Sequence, residues 1–125
     1  MLKSVIEYQD YRLYILDYYL EKKSSSAFTW REFAKRAGFA SGSYLKLISS
    51  GKSRLVEEGA RKTATAMELQ DFEYDYFVLL VQYDNAKNAL QKKKFFEQIQ
   101  EIISAHKVKL VGSESYTYYE SWVTT

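Results

Sequence analysis

A chain of 125 residues, 46% of them hydrophobic and 27% charged, fits one globular domain, and its 12 Tyr, 7 Phe and 2 Trp supply enough bulk for a core. With no proline and five glycines it has few obligatory breaks, and with no cysteine it has no disulfide, thiolate metal site or cysteine nucleophile. The net charge of +2 is segregated: residues 30–62 hold eight Lys or Arg against three Glu, whereas residues 63–86 hold five acids and no Lys or Arg, as expected of two faces with different partners.

Residues 1–20 show no signal-peptide pattern, and the longest apolar run, Tyr76 to Val81, is too short to span a membrane, so the expected compartment is the cytoplasm. Asp10 is an N-cap for a first helix over about 11–22, with Tyr11, Tyr14, Ile15, Tyr18 and Tyr19 at helical spacing and Lys22 and Lys23 at its negative end. Ser24, Ser25 and Ser26 form a loop. Phe28 is placed as a hydrophobic staple before Thr29, which caps a second helix over 30–37; Glu32 stands at capping-box spacing and Phe33, Ala34 and Ala37 form the buried stripe. Gly38 ends this helix in the left-handed region, and Phe39 plugs the core.

Ser41 is predicted to cap a third helix over about 42–50, anchored by Tyr44, Leu45 and Ile48 and stopped by Gly51. Lys52, Ser53 and Arg54 make a basic turn, and Leu55 returns to the core. A fourth helix over about 57–68 presents Ala60, Ala64 and Met67. Asp71 is expected to cap a fifth, over about 72–83, apolar on nearly all sides and therefore central. A sixth, over about 88–105, is expected to turn Leu90, Phe95, Phe96, Ile99, Ile102 and Ile103 inward. The alternation of Val108, Leu110 and Val111 fits a short extended segment, and Tyr116, Tyr118, Tyr119 and Trp122 form an aromatic cluster suited to a dimer seam, an interdomain contact or closure over helices five and six.

The stretch from Trp30 to Leu69 carries the functional signal, with a helix-turn-helix over about 29–51. Its second helix is anchored on one face and presents Ser41, Gly42, Ser43, Lys46 and Ser49 on the other, a small, polar and basic surface suited to a DNA major groove; Lys52 and Arg54 follow in the turn. The run Phe33-Ala34-x-x-Ala37-Gly38, followed by Ser41-x-x-Tyr44-Leu45-x-x-Ile48-x-x-Gly51-Lys52, resembles the lambda-repressor-like (Cro-type) helix-turn-helix proteins. The resemblance implies a lambda-repressor-like core over about 29–83 and a recognition helix over about 41–50. The run Tyr8-x-Asp10-Tyr11-Arg12-x-x-x-x-Asp17-Tyr18-Tyr19 also resembles the opening of an uncharacterised, paralog-rich bacterial family. Its members join such an N-terminal half to a C-terminal domain of unknown function. Gly38-Phe39-Ala40-Ser41 and Tyr44-Leu45-Lys46-Leu47 match that family's central motif, and Tyr118-Tyr119-x-x-Trp122 resembles the start of its second domain. That likeness implies a transcriptional regulator, and either a shortened chain or a short relative.

Three positions depart from the helix-turn-helix pattern: Trp30 stands where Gln usually contacts DNA, Ser49 where Glu usually braces the next loop, and Ala40 lengthens the turn. The recognition helix also lacks Arg, Asn and Gln, the best bidentate base readers, so phosphate contacts and DNA shape are expected to dominate. Arg31, Lys35, Arg61 and Lys62 could flank the groove. Gly51-Lys52-Ser53 fails as a P-loop because Lys46 occupies the position of the required first glycine. His106, the single histidine, has no partners for a metal site or a nucleophile–base pair.

The expected fold is therefore all-α, a five- or six-helix domain over 1–106 with an aromatic-rich tail over 107–125. The expected function is binding of double-stranded DNA in transcription regulation, as a homodimer, with no catalytic residues, metal or cofactor. The alternative is a protein–protein adaptor that kept the scaffold and lost DNA binding, with a partner on the acidic helix or the aromatic tail.

Overall fold

The structure, a computed structural model, describes the backbone of residues 2–124 and the side chains of residues 2–106. It is all-α: a short 3-10 turn at Val5–Glu7 precedes α1 (Tyr11–Ser25), α2 (Trp30–Ala37), α3 (Tyr44–Ser49), α4 (Glu57–Ala66), α5 (Asp71–Asn85) and α6 (Ala89–Thr124). No described helix is long and apolar enough to cross a membrane.

Local chemistry explains most of these boundaries. Asp10 accepts from the backbone N–H of Arg12 at 2.9 Å and starts α1, which runs three residues beyond the expected end because Ser24, Ser25 and Ser26 donate back to carbonyls of its last turns. Thr29 accepts from Glu32 N–H at 3.1 Å, while the Glu32 carboxylate reaches Arg36 instead of closing the capping box. Gly38, at φ 86°, ends α2, and the Phe39 N–H closes the cap on the Ala34 carbonyl at 2.9 Å.

Four sequence expectations change. Ser41 is not the cap of α3: the helix begins at Tyr44, Ser43 holds the cap position without a side-chain bond, and the Ser41 and Ser43 hydroxyls meet each other at 3.3 Å. Gly42 is a poor helix former, and the serines have local partners, so residues 41–43 form a turn. Asp71 is not the cap of α5; Gln70 holds that position, and Asp71 is the first helical residue at φ 55°, a conformation that Asp tolerates better than most residues. Leu90 and Phe96 do not face inward, being 78% and 47% exposed. At about 100° per residue Leu90 lies on the side of α6 opposite Ile99, which is buried with Ile103. Lastly, α6 is helical through the stretch where alternation fitted an extended segment, with no proline to interrupt it. The aromatic cluster Tyr116, Tyr118, Tyr119 and Trp122 lies outside the residues whose side chains are described.

The core is aromatic, and α5 is its centre. Tyr76 through Val81 are all buried, and α5 packs against α4, α6, α1 and the N-terminal 3-10 turn. Tyr11 and Phe77 meet edge to face at 6.2 Å, and the buried Tyr76 hydroxyl donates to the Tyr8 carbonyl at 2.6 Å. Ala60 and Ala64 of α4 are fully buried, which lets α4 approach its neighbours closely.

This packing generates two predictions. Glu68, two residues past the end of α4, sits at φ 61°, where a side chain is strained; Glu68→Gly should raise unfolding free energy by about 1 kcal/mol in urea titration. Burial pushes the Tyr76 hydroxyl up to about 12 and raises Tyr11 and Tyr14 as well. The unfolded chain ionises these groups near pH 10 while the folded chain keeps them neutral. Their contribution is therefore intact below about pH 10 and is lost as pH rises, by about 1 kcal/mol per tyrosine per pH unit at most. A urea midpoint unchanged from about pH 9 to about pH 11 would contradict this.

Candidate nucleic-acid interface

The surface around α3 is built from the inside. Leu45 and Ile48 are 0% exposed, and Tyr44 is half-buried with its ring edge-on to Phe39 at 4.9 Å. These anchors turn Lys46, Leu47 and Ser50 outward. The chain then reverses: the N–H groups of Lys52 and Ser53 donate to the Leu47 carbonyl at 2.9 and 3.3 Å, which lays the basic turn back along the helix.

That turn is held by three other elements. From α1, the Arg12 guanidinium donates to the Ser53 carbonyl at 3.2 Å and the Tyr11 hydroxyl accepts from Leu55 N–H at 3.3 Å. From α3, the Tyr44 hydroxyl donates to the Arg54 carbonyl at 2.9 Å. From α5, the Asn85 side-chain amide donates to the Leu55 carbonyl at 2.6 Å. Arg12 is itself fixed by Asp84 at 3.3 Å and by the Tyr11 ring, 4.8 Å from its guanidinium carbon. The bracing that Ser49 does not give thus comes from Tyr44 and from α1 and α5. Two buried polar atoms at this junction, Arg12 Nε and Asn85 Oδ1, have no protein partner among the described residues.

The sequence-derived site residues fall on this surface with different exposure. Lys46, Lys52 and Arg54 are exposed, as are Ser41 and Ser43 in the turn before α3. Gly42 is half-buried beneath Arg31, whose Cγ lies 3.2 Å from where a Cβ would stand. Ser49 is half-buried and donates to the Lys46 carbonyl at 2.8 Å.

Pairing separates the flanking cations. Arg36 pairs with Glu32, Arg61 with Glu57 and Lys62 with Glu58. The Arg61 bond, with help from Gln82, also holds the Glu57 carboxyl below its ordinary range. Among the described residues no carboxylate lies within ion-pair distance of Arg31, Lys35, Lys46, Lys52 or Arg54. Arg31 therefore joins the free cations beside α3, while Arg61 and Lys62 are engaged. Trp30 is half-buried and stacks on Tyr19 at 3.9 Å and on Phe33 at 6.2 Å, so it joins α2 to α1.

No family model, curated protein or solved structure matches this chain.

Leu47 was not among the site residues singled out from the sequence; it is exposed at 36% on the outer side of α3. An exposed Leu there offers an apolar contact of the kind that fits a thymine methyl group. Arg31 over Gly42 carried only a weak sequence signal, a cation in the first turn of the preceding helix.

The clamp makes a direct prediction. Arg12→Ala removes a carbonyl partner and leaves Asp84 unpaired, but Asp84 is about half exposed, so the ion pair itself contributes little. Stability should fall by about 1 kcal/mol, and amide exchange at residues 52–55 should accelerate more than in α2. Equal acceleration in both segments would show that Arg12 does not restrain the turn.

Proposed function

We propose that this protein binds double-stranded DNA through α2, the turn at 38–43, α3 and the basic turn at 52–54, and regulates transcription. The observation that carries the reading is the grouping of unpaired cations: Arg31, Lys46, Lys52 and Arg54 surround a six-residue helix anchored by Leu45 and Ile48, while Arg36, Arg61 and Lys62 are engaged by carboxylates. Phosphate oxygens are the complementary ligand, and one negative charge per about 1.7 Å of duplex can face several cations at once. Lys46 and Leu47 are the side chains best placed to meet base edges, with Ser43 at the start of the helix; none makes a bidentate contact, so positioning by phosphate exceeds direct readout.

One such helix pair offers few contacts, so the reading includes a homodimer on paired half-sites. The role is binding rather than catalysis, and the compartment that holds the DNA is the cytoplasm of a bacterial cell. Likeness to lambda-repressor-like proteins supports this proposal through the motif from Phe33 to Lys52. The adaptor reading is favoured by one feature, the exposed Leu47 and Val56 on either side of the basic turn, which would suit an apolar protein partner.

The test is binding to mixed genomic duplexes across a salt series, with Lys46→Ala/Lys52→Ala as the comparison. The wild type should bind with a steep dependence on salt, and the double variant should lower the slope of log K against log salt by about 2. A folded wild type that binds no duplex at low salt would overturn the DNA reading in favour of the adaptor.

A further inference from the structure

We propose that the corner between α5 and α6 is a second phosphate-contacting surface that extends the DNA footprint beyond α3; the proposal rests on the DNA-binding reading above. Between Asp84 and Glu97 the chain has four lysines and no acid. One of them is engaged: Lys92 donates to the Tyr83 carbonyl at 3.0 Å, with its ammonium 4.3 Å from the Tyr83 ring centre. Lys87, Lys93 and Lys94 are exposed, and among the described residues no carboxylate lies within ion-pair distance of them.

The position of this corner is set by the clamp on the basic turn. Asn85 reaches the Leu55 carbonyl at 2.6 Å, and Arg12 bridges Asp84 to the Ser53 carbonyl at 3.3 and 3.2 Å. Lys87 is two residues past Asn85, and Arg54 directly precedes Leu55. At no more than about 3.6 Å of chain per residue, the Lys87 backbone lies within about 7 Å of the Asn85 backbone, whose side chain holds Leu55. The corner is thus tied to the basic turn through Asn85 and Arg12, and a duplex backbone that follows the turn would meet Lys87 next, with Lys93 and Lys94 in the first two turns of α6.

The acids around the corner do not cancel this charge. Asp84 is paired with Arg12, Glu57 with Arg61 and Gln82, and Glu58 with Lys62. Asp10 is occupied as the cap of α1. Glu97 is exposed one helical turn after Lys93 and Lys94 without an ion pair to either, and Glu101 lies one turn further on. Lysine is a compact, flexible point charge, which suits sequence-independent phosphate contact better than base recognition. The corner would therefore add affinity and fix the orientation of the protein on the duplex without adding to the reading of sequence.

The experiment compares Lys87→Gln/Lys93→Gln/Lys94→Gln with a control of equal charge change, Lys3→Gln/Lys22→Gln/Lys23→Gln, at the far end of α1 and on the N-terminal segment. Both are titrated with a mixed-sequence duplex of about three helical turns across a salt series, with helicity checked by circular dichroism. The corner variant should bind at least about tenfold more weakly at low salt and lower the salt slope by about 2 to 3, one unit for each phosphate that is no longer neutralised; the control should keep the wild-type slope. A folded corner variant with the wild-type slope, or a control whose slope falls as far, overturns the corner proposal while Lys46→Ala/Lys52→Ala still weakens binding. If the wild type binds no duplex, both readings fall together.

Discussion

The backbone of the turn from Ser53 to Leu55 belongs to no helix or sheet, yet Leu55 is fully buried, so its polar groups must find partners inside the fold. Side chains from three helices meet that demand: Tyr11 and Arg12 from α1, Tyr44 from α3 and Asn85 from α5. Each bond is modest by itself, about 1 kcal/mol, but together they fix four segments to one another. The same bonds decide what reaches solvent. With the carbonyls of Ser53, Arg54 and Leu55 held by these side chains, Lys52 and Arg54 stand exposed in the turn after α3.

Tyrosine suits this kind of joint, and Tyr11, Tyr44 and Tyr76 use it. Its ring fills core volume, and its hydroxyl satisfies a distant backbone group. Tyr76 reaches the Tyr8 carbonyl 68 residues away in sequence, and Tyr11 reaches Leu55 at a separation of 44. Tyr8 donates to Asp17 at 2.7 Å. Desolvation raises the pKa of Tyr8, Tyr11, Tyr14, Tyr18 and Tyr76, so these hydroxyls stay protonated above about pH 10, where a free phenol begins to ionise.

This division also separates what could be read from the sequence from what could not. Asp10, Thr29 and Gly38 act on atoms within a few residues, and each marks a helix end as its type predicts. Ser41, Gly42 and Ser43 misled because either serine could have capped α3, and the poor helix former Gly42 between them favours the later start. Leu90 and Phe96 misled for the opposite reason: both are apolar, but the packing partner that would bury them is not supplied by the described fold. In the candidate site, Lys46, Lys52 and Arg54 were legible as local chemistry. Whether a cation is free depends on its neighbours in space. The i, i+4 pairs of Arg61 and Lys62 could have been counted from the spacing, since Glu57 and Glu58 each precede a cation by one helical turn. The Arg12 bridge between Ser53 and Asp84 could not.

The placement of Glu57 and Glu58 argues for how the proposed interface would work. They stand directly after the basic turn, where unpaired carboxylates would repel a phosphate backbone. At the start of α4 they complement the helix dipole, and Arg61 and Lys62 one turn later offset their charge. The unpaired charge beside α3 then includes Arg31, Lys46, Lys52 and Arg54. With lysines and a short helix instead of a row of bidentate readers, affinity on the proposed reading scales with the number of phosphates reached. Selectivity has to come from where a rigid surface can sit, through DNA shape and the spacing of two copies. Rigidity of the turn, and therefore the clamp formed by Tyr11, Arg12, Tyr44 and Asn85, becomes the property on which discrimination depends.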